Sequence, residues 1–467
     1  MPSGHRPSCY RGGAPAIRVA PRARHGSILV NSVEKTGQAT FEARTEASTR
    51  RRPALLAPLA IRDFRLVWTG ETISLLGDQF YFVALTWLTL QLTDSALALG
   101  TLFMAAAIPR GVLILVGGAL TDRFSPRPLM LASNALRCVI VAAITALVAL
   151  HAVQLWHLYV LSIAFGVIDA FFYPASASIV PSLVPEERLT AGNALMQGSM
   201  QITTLIGPAL AGALIAVVGS ATGNGTSFGI DALSFAVATA MLMMMRGARR
   251  GPSPAADIAQ APAETSPTSM MTEIKAGLRY AWNDPVLRSI LFAIAAISFS
   301  FDGPAIIGWA LLAHNRFTAG AAGFGAMVAA VGGGAMIGTL IGGSIARPRR
   351  RGLVLPAIVA MMGALMACLA IVPNLLFAAA IVAITGVGSG LANTIMIPWL
   401  QTRTESAMLG RVMSLVMLAS FGLAPVSFGV AGLLANLNLP LLFAIAGGLV
   451  MLSSAGMLAS RPLRSID

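Results

Sequence analysis

Six ionisable residues fall inside stretches too apolar to carry charge on a water-facing surface: Glu71, Asp78, Arg110, Arg137, Asp169 and Asp302. Charged groups in hydrocarbon are costly and persist where they act or pair. Glu71 and Asp78 lie seven residues apart, which puts both carboxyls on one face of a helix. Counted from the ends of their segments, Asp78 sits at the depth of Arg110, and Asp169 at the depth of Arg137. Two ion pairs are therefore geometrically open, leaving one acid of the first segment and Asp302 without an evident partner. A carboxyl group in a dry site without a cation holds its proton more readily, and can bind and release it as its access to water alternates. Glu71, Asp78, Asp169 and Asp302 are thus candidate proton carriers. The other reading of each is a static ion pair or a hydrogen bond that locks two helices. Asp231 falls near the end of its segment and reads as a helix cap rather than a site.

Other chemistries lack their residues. The two lysines, Lys35 and Lys275, lie in no Gly-rich phosphate loop, so the chain holds no nucleotide-driven cassette. There is no His-Glu-x-x-His pattern. The three cysteines, Cys9, Cys138 and Cys368, form neither a disulfide framework nor a metal spacing. No metal and no cofactor are expected.

The elements that must position the six charges follow from composition. The 467 residues are 56% hydrophobic and 11% charged, against about 45–50% and about 25% in soluble chains. A soluble enzyme and a disordered chain are both excluded. A bilayer core of about 30 Å needs about 20 apolar residues per helix, and twelve such segments can be marked between residues 66 and 460. The sixth is expected at 228–246 and the eleventh, unbroken, at 410–436. The fold class is an all-α polytopic membrane protein of twelve helices in two six-helix bundles.

The net charge of +13 is unevenly placed. Residues 1–52 hold ten Lys/Arg and three Glu, with no hydrophobic segment of the signal-peptide kind. They read as a disordered basic tail that either touches anionic lipid or is an unselected extension; with few aromatics, nucleic acid is not expected as a partner. With the N-terminus inside, the inner loops carry Arg123, Arg127, Arg188, Arg246, Arg249, Arg250, Lys275, Arg279, Arg347, Arg349, Arg350, Arg351 and Arg403, and the outer loops only Arg316. By the positive-inside rule both termini are cytoplasmic, in a plasma (inner) membrane.

The expected organisation is a tail (1–60), a first bundle (61–246), a cytoplasmic linker (247–284), a second bundle (285–460) and a short tail (461–467). In the linker, Met271, Ile274, Leu278 and Trp282 fall at helical spacing, as in a surface-lying amphipathic helix or an ordinary linker with one helical turn. The halves echo each other: Ile73-Ser74-Leu75-Leu76-Gly77-Asp78 against Ile297-Ser298-Phe299-Ser300-Phe301-Asp302, and Gly117-Gly118 against Gly342-Gly343. A six-plus-six duplication is the layout of a two-lobed transporter.

The loop after the second segment, Gly118-Ala-Leu-Thr-Asp122-Arg123-Phe-Ser-Pro-Arg127, resembles the major facilitator superfamily signature G-x-x-x-D-R-x-x-x-[RK]. The resemblance covers residues 60–460; the second-half copy, Gly343 to Arg351, lacks the Asp. Tyr173-Pro174-Ala175, Asp231-Ala-Leu-Ser234-Phe235 and Gly410-Arg411-Val412-Met413-Ser414 are similar to the drug, macrolide and siderophore exporters of that superfamily. Gly207-Pro208-Ala-Leu-Ala-Gly212 is similar to the antiporter motif, without its upstream glycine.

The resemblance implies that Gly118, Asp122, Arg123 and Arg127 latch the second span to the eleventh in the outward-open state. It implies that the fifth span (Gly207, Pro208, Gly212) faces the eighth (Gly334, Gly338, Gly342) across the gate, where small residues let helices approach. It also implies a cavity between spans 1, 4, 7 and 10, drawing on Tyr81, Trp87, Phe172, Tyr173, Phe301, Trp309 and Trp399. The expected activity is secondary transport: a proton-coupled antiporter, monomeric, exporting small amphipathic compounds and driven by the proton gradient. Its partners are the small-molecule substrate, protons and the lipid bilayer. The alternatives are an uptake symporter for a small nutrient and a non-transporting membrane sensor.

Overall fold

The computed structural model describes residues 54–246, 279–280, 282–344, 351–404 and 406–459. Most of the basic tail, most of the linker with its Met271–Leu278 segment, and the Arg347–Arg350 loop lie outside the described residues. Among those described, every regular element is helical, and twelve spans are long and apolar enough to cross a membrane. The helices are α1 (Arg62–Thr93), α2 (Ala96–Arg123), α3 (Pro126–Ala149), α4 (Leu155–Leu183), α5 (Glu186–Val218) and α6 (Ser220–Met243). They continue with α7 (Pro285–Asn315), α8 (Gly320–Ser344), α9 (Arg351–Cys368), α10 (Leu375–Arg403), α11 (Ser406–Phe421), α12 (Ala424–Leu437) and α13 (Leu439–Ala459). α11 and α12 together make the eleventh span, which breaks at Gly422-Leu423 rather than running straight.

Local chemistry sets the ends. α1 stops where Asp94 turns left-handed (φ 49°), and Ser95 then starts α2 by accepting a hydrogen bond from the Ala98 N–H at 3.2 Å. Asp284 caps α7 by accepting from the N–H of Val286 at 2.8 Å, and Asn374 caps α10 by accepting from Phe377 at 3.1 Å.

The repeat visible in sequence is a repeat of packing. α2 lies on α4 as α8 lies on α10, α1 on α6 as α7 on α13, and α3 on α6 as α9 on α13. In both halves glycine makes the closest approach: Gly117 meets the Ala170 carbonyl and Gly166 that of Ala106, while Gly338 meets Val387 and Gly390 meets Ala335. A Cβ at any of these positions would collide with backbone.

The halves touch along two lines. α5 packs on α8, with Gly325 against Pro208 and Gly212 against Ala321; α2 packs on α12, with Gly432 against Ala96 and Gly100. Both lines lie toward the end opposite the arginine-bearing loops. That end is closed further by Phe82 on Phe324 (5.9 Å), Phe103 on Phe428 (5.5 Å) and Trp87 edge-on to His314 (5.3 Å). His314 also lies 3.2 Å from Asp94 of the other half. At the arginine-bearing end, a Cβ on Gly118 or Gly410 would meet nothing within 4 Å. Among the described residues, the contacts between the two halves thus gather at the end opposite the arginine-bearing loops.

Candidate functional site

The N-terminal half encloses a charged cluster. Arg137 of α3 is 3% exposed and paired with Asp169 of α4, with its guanidinium over the Phe172 ring at 4.3 Å. Glu71 and Asp78 of α1 lie within electrostatic reach of the same guanidinium. Asn134, one turn before Arg137, is fully buried beside Glu71. Arg110 of α2 approaches Asp169 at 3.8 Å. The two ion pairs open in sequence therefore resolve unequally. Both arginines converge on Asp169, and Arg110 leaves Asp78 because helix rotation, not depth alone, decides which side chains meet.

Asp231 overturns its reading as a helix cap. α6 begins at Ser220, eight residues before the expected start of its span, so Asp231 lies near mid-helix. Asn224 and Ser227 make those two extra turns look like a loop, yet both are fully buried, and Asn224 donates to Gln91 of α1 at 2.7 Å. Asp231 itself is 0% exposed and one of its oxygens has no partner. It fits against α1 because residue 77 is glycine: a Cβ there would stand 2.7 Å from Asp231 Oδ1 and closer still to Ser234 Oγ. Asp231 belongs with the interior acids, and its signal was the acid opposite a glycine in the helix carrying Asp78.

The C-terminal half is built differently. A cavity of about 540 Å³ opens between α7, α9, α10, α11 and α13, lined mostly by aliphatic, aromatic and methionine side chains. Asp302 lines it and forms no ion pair among the described residues. Asp302 sits where α7 is interrupted. Pro304 lacks the N–H that would continue the ladder. Ser427 of α12 reaches in, accepting from the Gly303 N–H at 2.8 Å and donating to the Phe299 carbonyl at 2.6 Å.

Of the aromatics expected in a cavity, Phe301 and Trp309 line this one. The others do not line it. Tyr81 stacks on Phe165 at 4.6 Å, Trp87 closes the far end against His314, and Phe172 lies under Arg137. Tyr173 is exposed, and Trp399 stands beside Arg403. Helical periodicity gives a residue's depth but not the direction it faces, so it does not tell which of the seven aromatics line this particular cavity. Residues that do line the cavity, such as Met362 and Met457, come from α9 and α13.

The gate residues rearrange as well. Gly212 and Pro208 face α8 as expected, but Gly207 faces Gln79 of α1. Gly334, Gly338 and Gly342 face α10, at Ala383, Val387 and Thr394; the α8 residues that meet α5 are Gly325, Gly332 and Gly333. A glycine-rich helix carries two stripes, and sequence alone does not say which partner takes which. Among the described residues, no contact of Gly118 or Arg123 with the eleventh span is seen. Gly118 faces open space, Asp122 and Arg123 end α2, and Arg123 is exposed. Arg127 instead donates to the Leu242 and Met243 carbonyls at 3.0 and 3.1 Å, binding the carboxyl end of α6. Among the described residues no group of His, Cys, Asp and Glu could hold a metal ion.

Two pseudo-repeated bundles meeting around a partly open interior define a secondary-transporter fold. The described "Transmembrane secretion effector" family matches residues 53–467, and the chain belongs to that family, within the major facilitator superfamily of membrane transporters. It is 26% identical over 392 residues to the multidrug efflux pump Tap of Mycobacterium tuberculosis, covering 79% of this chain and 85% of that protein. It is 25% identical over 154 residues to macrolide efflux protein A of Streptococcus pyogenes, 33% of this chain and 38% of that one. The fold is similar to that of a bacterial homologue of the iron transporter ferroportin in an inward-facing state, with a TM-score of 0.64 at 17% identity, covering 87% of this chain and 99% of the other.

Proposed function

We propose that this protein exports small amphipathic compounds from the cell in exchange for protons, by alternating access across the plasma membrane. The observation that carries the reading is the separation of roles inside the molecule: carboxyls gather in one half and a largely apolar cavity lies in the other. An antiporter needs a group that takes up and gives back a proton and a place for the cargo, both reached from alternate sides. Among the described residues Glu71 and Asp78 form no ion pair with an arginine, and they stand on one face of α1. Asp169 is held by two cations and serves to orient Arg137, while Asp231 supplies a further carboxyl beside Asp78.

The direction of export is supported by the relatives that share most of this chain's length, which are multidrug efflux pumps. If the arginine-bearing loops and both termini are placed in the cytoplasm, this conformation is open inward and sealed outward. The latch residues Asp122 and Arg123 then have their role in the opposite conformation, when the inner ends of α2 and the eleventh span come together. The largely apolar lining disfavours a polar nutrient as cargo and so disfavours the uptake symporter.

The test is transport in everted membrane vesicles, with a panel of dyes and antibiotics and an imposed pH gradient. Uptake of at least one compound should follow the gradient and stop when it is collapsed. Asp78→Asn should reduce gradient-driven uptake to background while the protein still reaches the membrane. Unchanged uptake in that variant removes Asp78 from the proton path.

A further inference from the structure

We propose that the cavity of the C-terminal half binds an amphipathic organic cation, its charge at Asp302 and a hydrogen-bond acceptor about 10 Å away at the indole N–H of Trp309. The proposal rests on the exporter reading and specifies its cargo. The volume of about 540 Å³ lies within the range of sites for drug-sized ligands. No Lys, Arg or His lines the cavity, so Asp302 is its one ionisable lining group among the described residues. The cation that faces Asp302 is Arg110 of α2, already directed to Asp169 at 3.8 Å. A ligand that brings its own positive charge supplies what Asp302 lacks.

A second observation is independent of that charge. Trp309 is 5% exposed, lines the cavity, and its Nε1 has no hydrogen-bond partner. A buried N–H left unpaired costs free energy that a ligand acceptor recovers. Trp309 lies seven residues beyond Asp302, two turns along the same face of α7, which at 1.5 Å per residue gives about 10 Å. Asp302 is mid-helix and Trp309 is nearer the sealed end. The charged head of the ligand therefore sits level with the charged cluster, and its acceptor points outward. Phe301, Met362 and Met396 line the cavity and provide deformable apolar contact for the body between them.

The experiment measures binding to the purified full-length protein in detergent. The probes are a long-chain alkyl trimethylammonium, the same compound with a ketone about 10 Å from the nitrogen, and the uncharged tert-butyl isostere. The cation should bind about 10-fold or more tightly than the isostere, and the ketone should add about 3-fold or more. Asp302→Asn should erase the preference for charge and Asp302→Glu retain it. Trp309→Phe should erase only the gain from the ketone. Size-exclusion behaviour like that of the native protein shows each variant to be folded.

Equal binding of cation and isostere, or an Asp302→Asn variant that keeps the preference, overturns the cation site. A ketone gain that survives Trp309→Phe overturns the acceptor site. Gradient-driven efflux with no preference for charge would sink this inference and leave the exporter reading standing. Cation binding without gradient-driven efflux would do the reverse.

Discussion

The two halves of this transporter share a scaffold and differ in what they enclose. In the first, α2 and α4 interlock through Gly117 and Gly166; in the second, α8 and α10 interlock through Gly338 and Gly390. Inside the first, Glu71, Asp78, Asp169 and Asp231 surround Arg137, with Arg110 at the edge. Inside the second, Asp302 is the one ionisable residue that lines a largely apolar cavity among the described residues. Backbone packing tolerates little change because a single Cβ displaces a whole helix. Side chains pointing inward are free to diverge so long as their charges are compensated locally. A duplicated fold can thus keep its geometry while one half takes up charge and the other makes room for a ligand.

The contrast is most directly broken at Arg137. Arg137→Met strands the acids around it, and removal of one partner of a buried pair costs about 3–5 kcal/mol. Asp302→Asn, with no ion pair to lose, should cost within about 1 kcal/mol. Thermal unfolding of the purified variants would show the first greatly destabilised and the second close to native. Equal stability would mean that the first half does not depend on its charges.

The shared scaffold predicts symmetry instead. Gly166→Val and Gly338→Val each force a side chain onto a carbonyl, of Ala106 and Val387 respectively. Overpacking of this kind costs about 1–3 kcal/mol, and the two losses should match within about 1 kcal/mol. A large loss in one half only would show that the repeat is not equivalent in packing.

A smaller effect is expected at Ser427, which bridges the interrupted turn beside Asp302. Ser427→Ala should cost about 1–2 kcal/mol and speed hydrogen exchange at Gly303, with Glu71 and its surroundings unaffected. The smallest concerns the sealed end. Asp94 is 81% exposed, so Asp94→Asn should change stability by no more than about 1 kcal/mol. Its consequence is conformational: loss of the contact to His314 should increase labelling of cysteines introduced along the sealed seam. Unchanged labelling would show that Phe82, Phe103 and their partners hold that end alone.

The number of spans, their order and the repeat are legible in the sequence because each depends on local quantities: about 20 apolar residues per span, turn signals and recurring motifs. So are the interior charges, since a carboxylate or guanidinium inside an apolar segment is conspicuous whatever its neighbours. Arg137 and Asp169 could be matched by depth for the same reason. Facing could not be read. Hydrophobic residues surround these helices on all sides, so periodicity does not mark which face meets protein and which meets lipid.

That is why Tyr81 and Trp87 were expected in a cavity and are packed away from it, and why the Gly334 stripe meets α10 rather than α5. The boundary of the sixth span failed for another reason: polar residues such as Asn224 and Ser227 precede the apolar run that begins at 228, whereas the helix itself begins at Ser220 and carries Asp231 near its middle. The sequence by itself determined the membrane class, the twelve spans, the family and the interior charges other than Asp231. Only the tertiary structure decided which charges meet, which half holds the cavity and which end is closed. Those outcomes depend on helix rotation and on contacts between residues far apart in the chain, and on no local property of either partner.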